Sequence, residues 1–93
     1  MGALHLVSSI AGLKQCLARL GPDDALLLLE SAVYAATVSA RKPLPPDPDY
    51  YVLQEHLVQR GIDLAQVLPP FVITGFSGFV ALTTRHRTSV TWA

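Results

Sequence analysis

The sequence predicts one small α/β domain, residues 1–93, built on a five-stranded, mostly parallel sheet with helices on both faces. Three observations predict it. Five short β-prone segments alternate strictly with segments of helical character, the pattern of a parallel sheet joined by crossover helices. One of the five, Ala25-Leu26-Leu27-Leu28-Leu29, is apolar throughout, as a strand buried on both faces must be. The length, 93 residues, suits one domain and leaves no room for two.

The elements follow in order. Ala3-Leu4-His5-Leu6-Val7 is short, mostly apolar and closed by Ser8-Ser9, which reads as a strand. Leu13, Cys16, Leu17 and Leu20 recur at i, i+3, i+4, i+7, one apolar face of a helix that Gly21-Pro22 is expected to end. The Ala25–Leu29 strand leads into Ser31–Ala40, an alanine-rich stretch suited to a short helix. Arg41 to Asp49 holds four of the seven prolines; with φ fixed and N–H donors missing, it is an exposed, stiff loop. Tyr50–Leu53 is a strand by residue type, and Gln54–Arg60 a helix closed by Gly61. Asp63 caps a further turn through Val67. Phe71–Thr74 is the fourth strand, Gly75–Gly78 a turn, and Phe79–Thr84 a helix with Ser77 as its cap. Arg85, His86 and Arg87 place positive charge at the helix C-terminus, where the dipole favours it. Thr88–Trp92 is the fifth strand.

Composition narrows the function classes. Half of the residues are hydrophobic (51%) and only 15% are charged, against about 25% in typical globular domains. A domain this small has much surface to cover and few charges to cover it with, so apolar surface is expected to stay exposed and to serve as an interface. Seven Lys and Arg balance seven Asp and Glu, which excludes the basic footprint of a direct nucleic-acid binder and the cationic face of a membrane-surface protein. A single cysteine precludes an internal disulfide and fits a reducing, cytoplasmic setting. The first ten residues lack the basic segment of a signal peptide, and no apolar run approaches the roughly 20 residues of a membrane helix.

Few residues are candidates for chemistry. Cys16 is the one thiol; a nucleophilic role needs a helix N-terminus or a nearby cation, whereas Cys16 shares an apolar face with three leucines and reads as a small hydrophobe. Gly75-Phe76-Ser77-Gly78-Phe79 resembles the serine-hydrolase elbow G-x-S-x-G but ends in Phe, and His86 follows too soon to be its partner. His5, His56 and His86 have no metal-ligand spacing; His5 reads as a satisfied core or boundary histidine and His86 as a helix-terminus residue. No phosphate-cradling motif occurs, and no cofactor or metal is expected. Asp23 and Asp24 are read as turn residues.

Taken in order, several fragments resemble the TusB/DsrH proteins of bacterial sulfur relays. They are Leu4-His5-Leu6-Val7, Gly21-Pro22-Asp23-Asp24-Ala25-Leu26-Leu27-Leu28, Val33-Tyr34-Ala35-Ala36, Tyr51-Val52-Leu53 with Leu57 and Arg60-Gly61, Phe79-Val80-Ala81-Leu82-Thr83, and the final Trp92. The chain departs from the family in its proline-rich connection and at Ser77-Gly78, where an acidic residue often stands. The resemblance implies a flavodoxin-like (DsrEFH-like) domain, and a heterohexamer with TusC/DsrF-like and TusD/DsrE-like subunits that passes persulfide sulfur to a TusE/DsrC-like acceptor. It implies that the main sulfur-carrying cysteine belongs to the TusD/DsrE-like partner and that this chain is chiefly structural. In the TusBCD branch the sulfur is destined for 2-thiouridine at the tRNA wobble position. In the DsrEFH branch it serves dissimilatory sulfur oxidation, with Cys16 as a second persulfide carrier. The sequence does not locate the interface residues; Tyr34, Tyr50, Phe76 and Phe79 are the large side chains that are first candidates for them.

Overall fold

The computed structural model describes residues 2–38 and 44–93; Ser39–Ala40 of the expected alanine-rich helix and Arg41–Pro43 of the proline-rich loop lie outside the described residues. Five strands form one sheet: β1 (Ala3–Val7), β2 (Ala25–Leu28), β3 (Asp49–Leu53), β4 (Val72–Thr74) and β5 (Thr88–Trp92). All pair in parallel, in the order β4-β3-β2-β1-β5. The α-helices are α1 (Ile10–Leu17), α2 (Gln54–Gln59) and α3 (Phe76–Arg85), and two 3₁₀ segments, Glu30–Thr37 and Leu64–Gln66, complete the crossovers. The alternation, the five strands and their parallel sense are those expected from the sequence. The order itself differs from the 2-1-3-4-5 of flavodoxin.

This order dictates how the sheet is covered. β1 to β4 step in one direction, so right-handed crossovers put their helices on a single face. The return from β4 to β5 reverses direction and places α3 on the other. The two cores follow strand parity. Val7, Leu26, Leu28, Tyr50 and Val52 point to the first face, against Cys16 of α1, Ala32, Val33 and Ala36 of the long 3₁₀ segment, and Leu57 of α2. Leu4, Ala25, Leu27 and Leu53 point to the second face, where Leu82 and Phe79 of α3 cover them. β2 is buried at all four positions, which is why its sequence is apolar throughout.

Local expectations fare unevenly. Asp63 caps its turn by accepting from the Ala65 N–H at 3.0 Å, and Gly61, at φ +70°, closes α2. His86 sits at the end of α3 with Nδ1 2.8 Å from the Leu82 carbonyl. Gly21 does not cap α1: the helix stops at Leu17 with Ala18 as its C-cap, and the Gly21 N–H instead donates to Asp24 at 2.8 Å. α3 begins at Phe76, three residues before the expected Phe79, so Ser77 lies inside the helix and does not cap it. Gly75 is the cap residue, and the carboxylate of Glu55 approaches the Phe76 N–H from α2 at 3.5 Å. An outside group thus meets the first turn, a solution that local sequence does not display.

Candidate functional site

In an open parallel sheet, ligands gather beyond the carboxyl ends of strands where the strand order reverses. Here the order reverses between β1 and β5, and the carboxyl ends of these two strands are tied directly to each other. The Ser8 N–H and Oγ both donate to the Trp92 carbonyl, at 3.0 and 3.2 Å, and the Ser31 hydroxyl donates to the Ser8 carbonyl at 3.1 Å. Ser9 caps α1, its side chain accepting from Gly12 N–H at 2.9 Å. A β-carbon on Gly12 would lie 2.9–3.1 Å from Trp92 main-chain and Cβ atoms, so helix and strand close on each other here with only a hydrogen to spare.

Beneath α1 lies a polar chain within the apolar layer. The indole N–H of Trp92 donates to His5 Nδ1 at 3.0 Å, which assigns the imidazole proton to Nε2. Nε2 in turn donates to Asp24 Oδ2 at 2.9 Å. Asp24 also accepts from the Ala3 N–H at 2.8 Å and from Gly21. Burial works to raise the Asp24 carboxyl, but these three donors outweigh it and hold the group below its ordinary value of 3.8. His5 is 5% exposed, the buried and satisfied histidine that its apolar strand implies.

Cys16 lies on this face, fully buried. Burial pushes its thiol from 9.0 up to about 11, and the Asp24 charge adds to the effect. At neutral pH the sulfur is a protonated thiol enclosed by the core. Tyr50 neighbours it: burial, then the Cys16 charge, raises the phenol to about 12, and its hydroxyl donates to the Pro45 carbonyl at 2.7 Å.

A second cluster, missed by sequence reasoning, sits at the carboxyl ends of β2 and β3. Glu30 adopts φ +49°, a left-handed conformation that a glutamate enters only when its surroundings require it. Its N–H donates to His56 Nδ1 at 2.9 Å, so His56 keeps its proton on Nε2, 3.6 Å from Glu30 Oε1. Arg60 reaches Glu30 Oε2 at 3.5 Å and lies 5.8 Å over the Tyr34 ring, while Phe76 meets His56 edge-on at 6.3 Å. The Arg60–Glu30 ion pair is largely exposed and contributes little to stability. Arginine beside exposed aromatic rings is the composition of a protein-binding surface. No spacing in the sequence links these residues; the one available signal was that Glu30, Glu55 and His56 follow strand ends.

Of the four candidate interface side chains, Tyr34 and Phe76 are half exposed, whereas Tyr50 is 3% exposed and Phe79 packs in the second core. Strand parity turns Tyr50 inward, and the earlier start of α3 turns Phe79 onto the sheet. Ile10, Val38, Val58, Val72, Val80 and Val90 are also exposed, scattered over the helices, loops and edge strands. Ser77 is exposed in the first turn of α3 and His86 terminates the same helix, so no hydrolase dyad forms. Among the described residues, no group of three or more His, Cys, Asp or Glu is placed to hold a metal ion, and no helix is long and apolar enough to cross a membrane.

Fold and site together define a small parallel α/β domain whose β1–β5 seam is closed by its own hydrogen bonds, with exposed aromatic side chains at other strand ends. Residues 8–89 match the model of the DsrH-like protein family, and the chain belongs to that family. It is 35% identical over 72 residues, 75% of each chain, to Protein TusB of Erwinia tasmaniensis and equally to Protein TusB of Buchnera aphidicola subsp. Baizongia pistaciae. Two solved structures share the fold. The crystal structure of the ychN protein from E. coli superposes with a TM-score of 0.71 at 14% identity, covering 99% of this chain and all of that one. The solution structure of protein Tm0979 from Thermotoga maritima gives 0.68 at 19% identity, covering 89% and 92%.

Proposed function

We propose that this chain is a structural subunit of a cytoplasmic sulfur-relay complex, in which a TusD/DsrE-like partner carries the persulfide and the sulfur serves 2-thiouridine formation at the tRNA wobble position. The observation that carries the reading is family membership over residues 8–89 combined with a sole cysteine that is fully buried. A sulfur carrier presents a thiolate to its donor and acceptor; Cys16 is enclosed, and burial holds it protonated. The chain's contribution is then its surface: Tyr34, Arg60 and Phe76 at the strand ends are the side chains on which TusC/DsrF-like and TusD/DsrE-like subunits dock. A heterohexamer with two copies of each chain, handing sulfur to a TusE/DsrC-like acceptor, is the assembly in which this role makes sense.

The test is purification of the tagged chain from its native cell, followed by native mass spectrometry and transfer of labelled sulfur. Two further chains of similar size should accompany it, the label should appear on a partner cysteine, and Cys16→Ser should leave transfer intact. A stable, partner-free monomer overturns the reading. Loss of transfer in Cys16→Ser, with the complex still assembled, would instead establish the sulfur-oxidation alternative in which Cys16 is itself a carrier.

A further inference from the structure

β5 is an edge strand with nothing to blunt it. It pairs with β1 alone, and its side chains, Thr88 to Trp92, include no charge and no proline. Thr88, Ser89, Val90 and Thr91 are all exposed. The opposite edge differs: β4 has three residues and follows Pro69-Pro70, which limits what could pair there. The ladder fixes which main-chain groups of β5 are free. The Trp92 carbonyl accepts from the Ser8 N–H, so Trp92, Val90 and Thr88 turn their N–H and C=O groups toward β1. Ser89 and Thr91 turn theirs outward, and no hydrogen bond among the described residues takes them up. Val90 shares the face of Trp92 and α1, while Ser89 and Thr91 share the face of Leu4 and Leu6.

We propose that β5 pairs with β5 of a second copy of this chain, antiparallel about a two-fold axis at Val90, so that the two sheets become one.

The strand is complementary to its own reversal. Ser89-Val90-Thr91 reads hydroxyl, apolar, hydroxyl in either direction. About Val90, Ser89 of each copy faces Thr91 of the other, and each such pair exchanges both of its outward N–H···O bonds. Val90 meets the second Val90 in the close, non-hydrogen-bonded position, an apolar pair on one face, with the hydroxyls of Ser89 and Thr91 paired on the other. Charge selects the same arrangement. Arg85 and Arg87 are exposed just before β5. A parallel alignment of two copies sets these arginines side by side. Reversal sends them to opposite ends: each Arg87 lies three residues from the axis, so the two are about 20 Å apart, beyond the roughly 8 Å screening length at physiological salt. The pair needs no partner subunit and is a contact that the sulfur-relay reading does not name; only its place on the two-fold of a heterohexamer rests on that reading.

The full chain is followed by sedimentation velocity, alone and in the complex purified from its native cell. Alone it should be a dimer at about 0.1 mM. Val90→Lys sets two ammonium groups at the axis, and Thr91→Pro removes an N–H that β1 does not use; circular dichroism checks that each keeps the fold. Each should weaken dimerisation at least about tenfold. The amides of Ser89 and Thr91 should exchange slowly in the dimer and fast in Val90→Lys. Val90→Cys should cross-link to itself under a mild oxidant, because the two α-carbons at the axis lie about 4.5 Å apart. Thr88→Cys, exposed on the same face, stands opposite Trp92 of the second copy and should not; Cys16 is buried and stays out of the exchange. Should either substitution unfold the chain, the contrast between these two cysteines decides alone. In the complex, Val90→Lys should halve the mass and leave every partner chain bound. The proposal is overturned if the wild-type chain stays monomeric at that concentration, if Thr88→Cys links as readily as Val90→Cys, if folded Val90→Lys and Thr91→Pro dimerise as the wild type does, or if Val90→Lys releases a partner chain, which gives β5 to that partner. Failure to recover any partner chain counts against the sulfur-relay reading and leaves the dimer test on the isolated chain standing.

Discussion

Asp24 shows how much one side chain can fasten. It receives two backbone amides and one imidazole, and so ties the start of β1, the turn after α1 and the β5 seam to a single carboxylate. Asp24→Ala strands those donors in a partly buried site, and is expected to lower unfolding free energy by about 2–4 kcal/mol in urea titration. The pH dependence follows from the direction of its shift. The folded value lies below 3.8, so Asp24 contributes stability that is complete above that pH and is lost as pH falls below it toward the folded value. Cys16 acts at the other limit. Its folded value is raised, so its contribution is complete below pH 9.0 and is lost as pH rises toward about 11. Thermal melts across this range should show an alkaline decline that Cys16→Ala makes shallower, with Tyr50 responsible for a further decline between 10.0 and about 12.

Among elements, α1 and α3 stand on glycines for different reasons than their sequence suggests. Gly12 is buried in α1 because Trp92 leaves no room for a β-carbon, and Gly78 is needed in α3 because a β-carbon would meet the Thr74 side chain. Gly12→Val is expected to cost about 1–3 kcal/mol by overpacking, a fall in Tm of roughly 4–8 °C per kcal/mol, read by calorimetry. The elements themselves were largely legible, because each carries a local pattern: the i, i+3, i+4, i+7 leucine face of α1, the apolar run of β2, the Asp63 cap. What was not legible depends on partners distant in the chain. Nothing near Gly75 announces that Glu55 will approach the first turn of α3, so Ser77 seemed the only available cap. Nothing near Glu30 announces that His56 will accept its N–H and hold it at positive φ. Of the candidate site, Cys16 was legible with its burial, from the face it shares with leucines, and Tyr34 and Phe76 as large side chains suited to an interface; their grouping with Glu30, His56 and Arg60 was not.

For the whole molecule, the unequal covering of the sheet is the dominant feature. Three crossovers cover one face, while α3 alone, among the described residues, covers the other. That core hangs on Leu82, whose replacement by alanine is expected to cost about 2–5 kcal/mol and to expose amides of α3 and β4 to hydrogen exchange ahead of those of β2. The same thinness explains why composition pointed to neighbours. Val72 and Val80 stay exposed there.

The strand order has one more consequence, for biosynthesis. Of the five strands, β1 leaves the ribosome before the others, yet its neighbour on one side is β5, and the Trp92–His5 bond joins residues 87 apart in the chain. β2 can pair with β1 early, but the other edge of β1 stays open until β5 has been translated. Closing so long a loop late makes that step slow. Throughout that interval the nascent chain carries an unpaired apolar edge, a template for wrong pairing until β5 covers it.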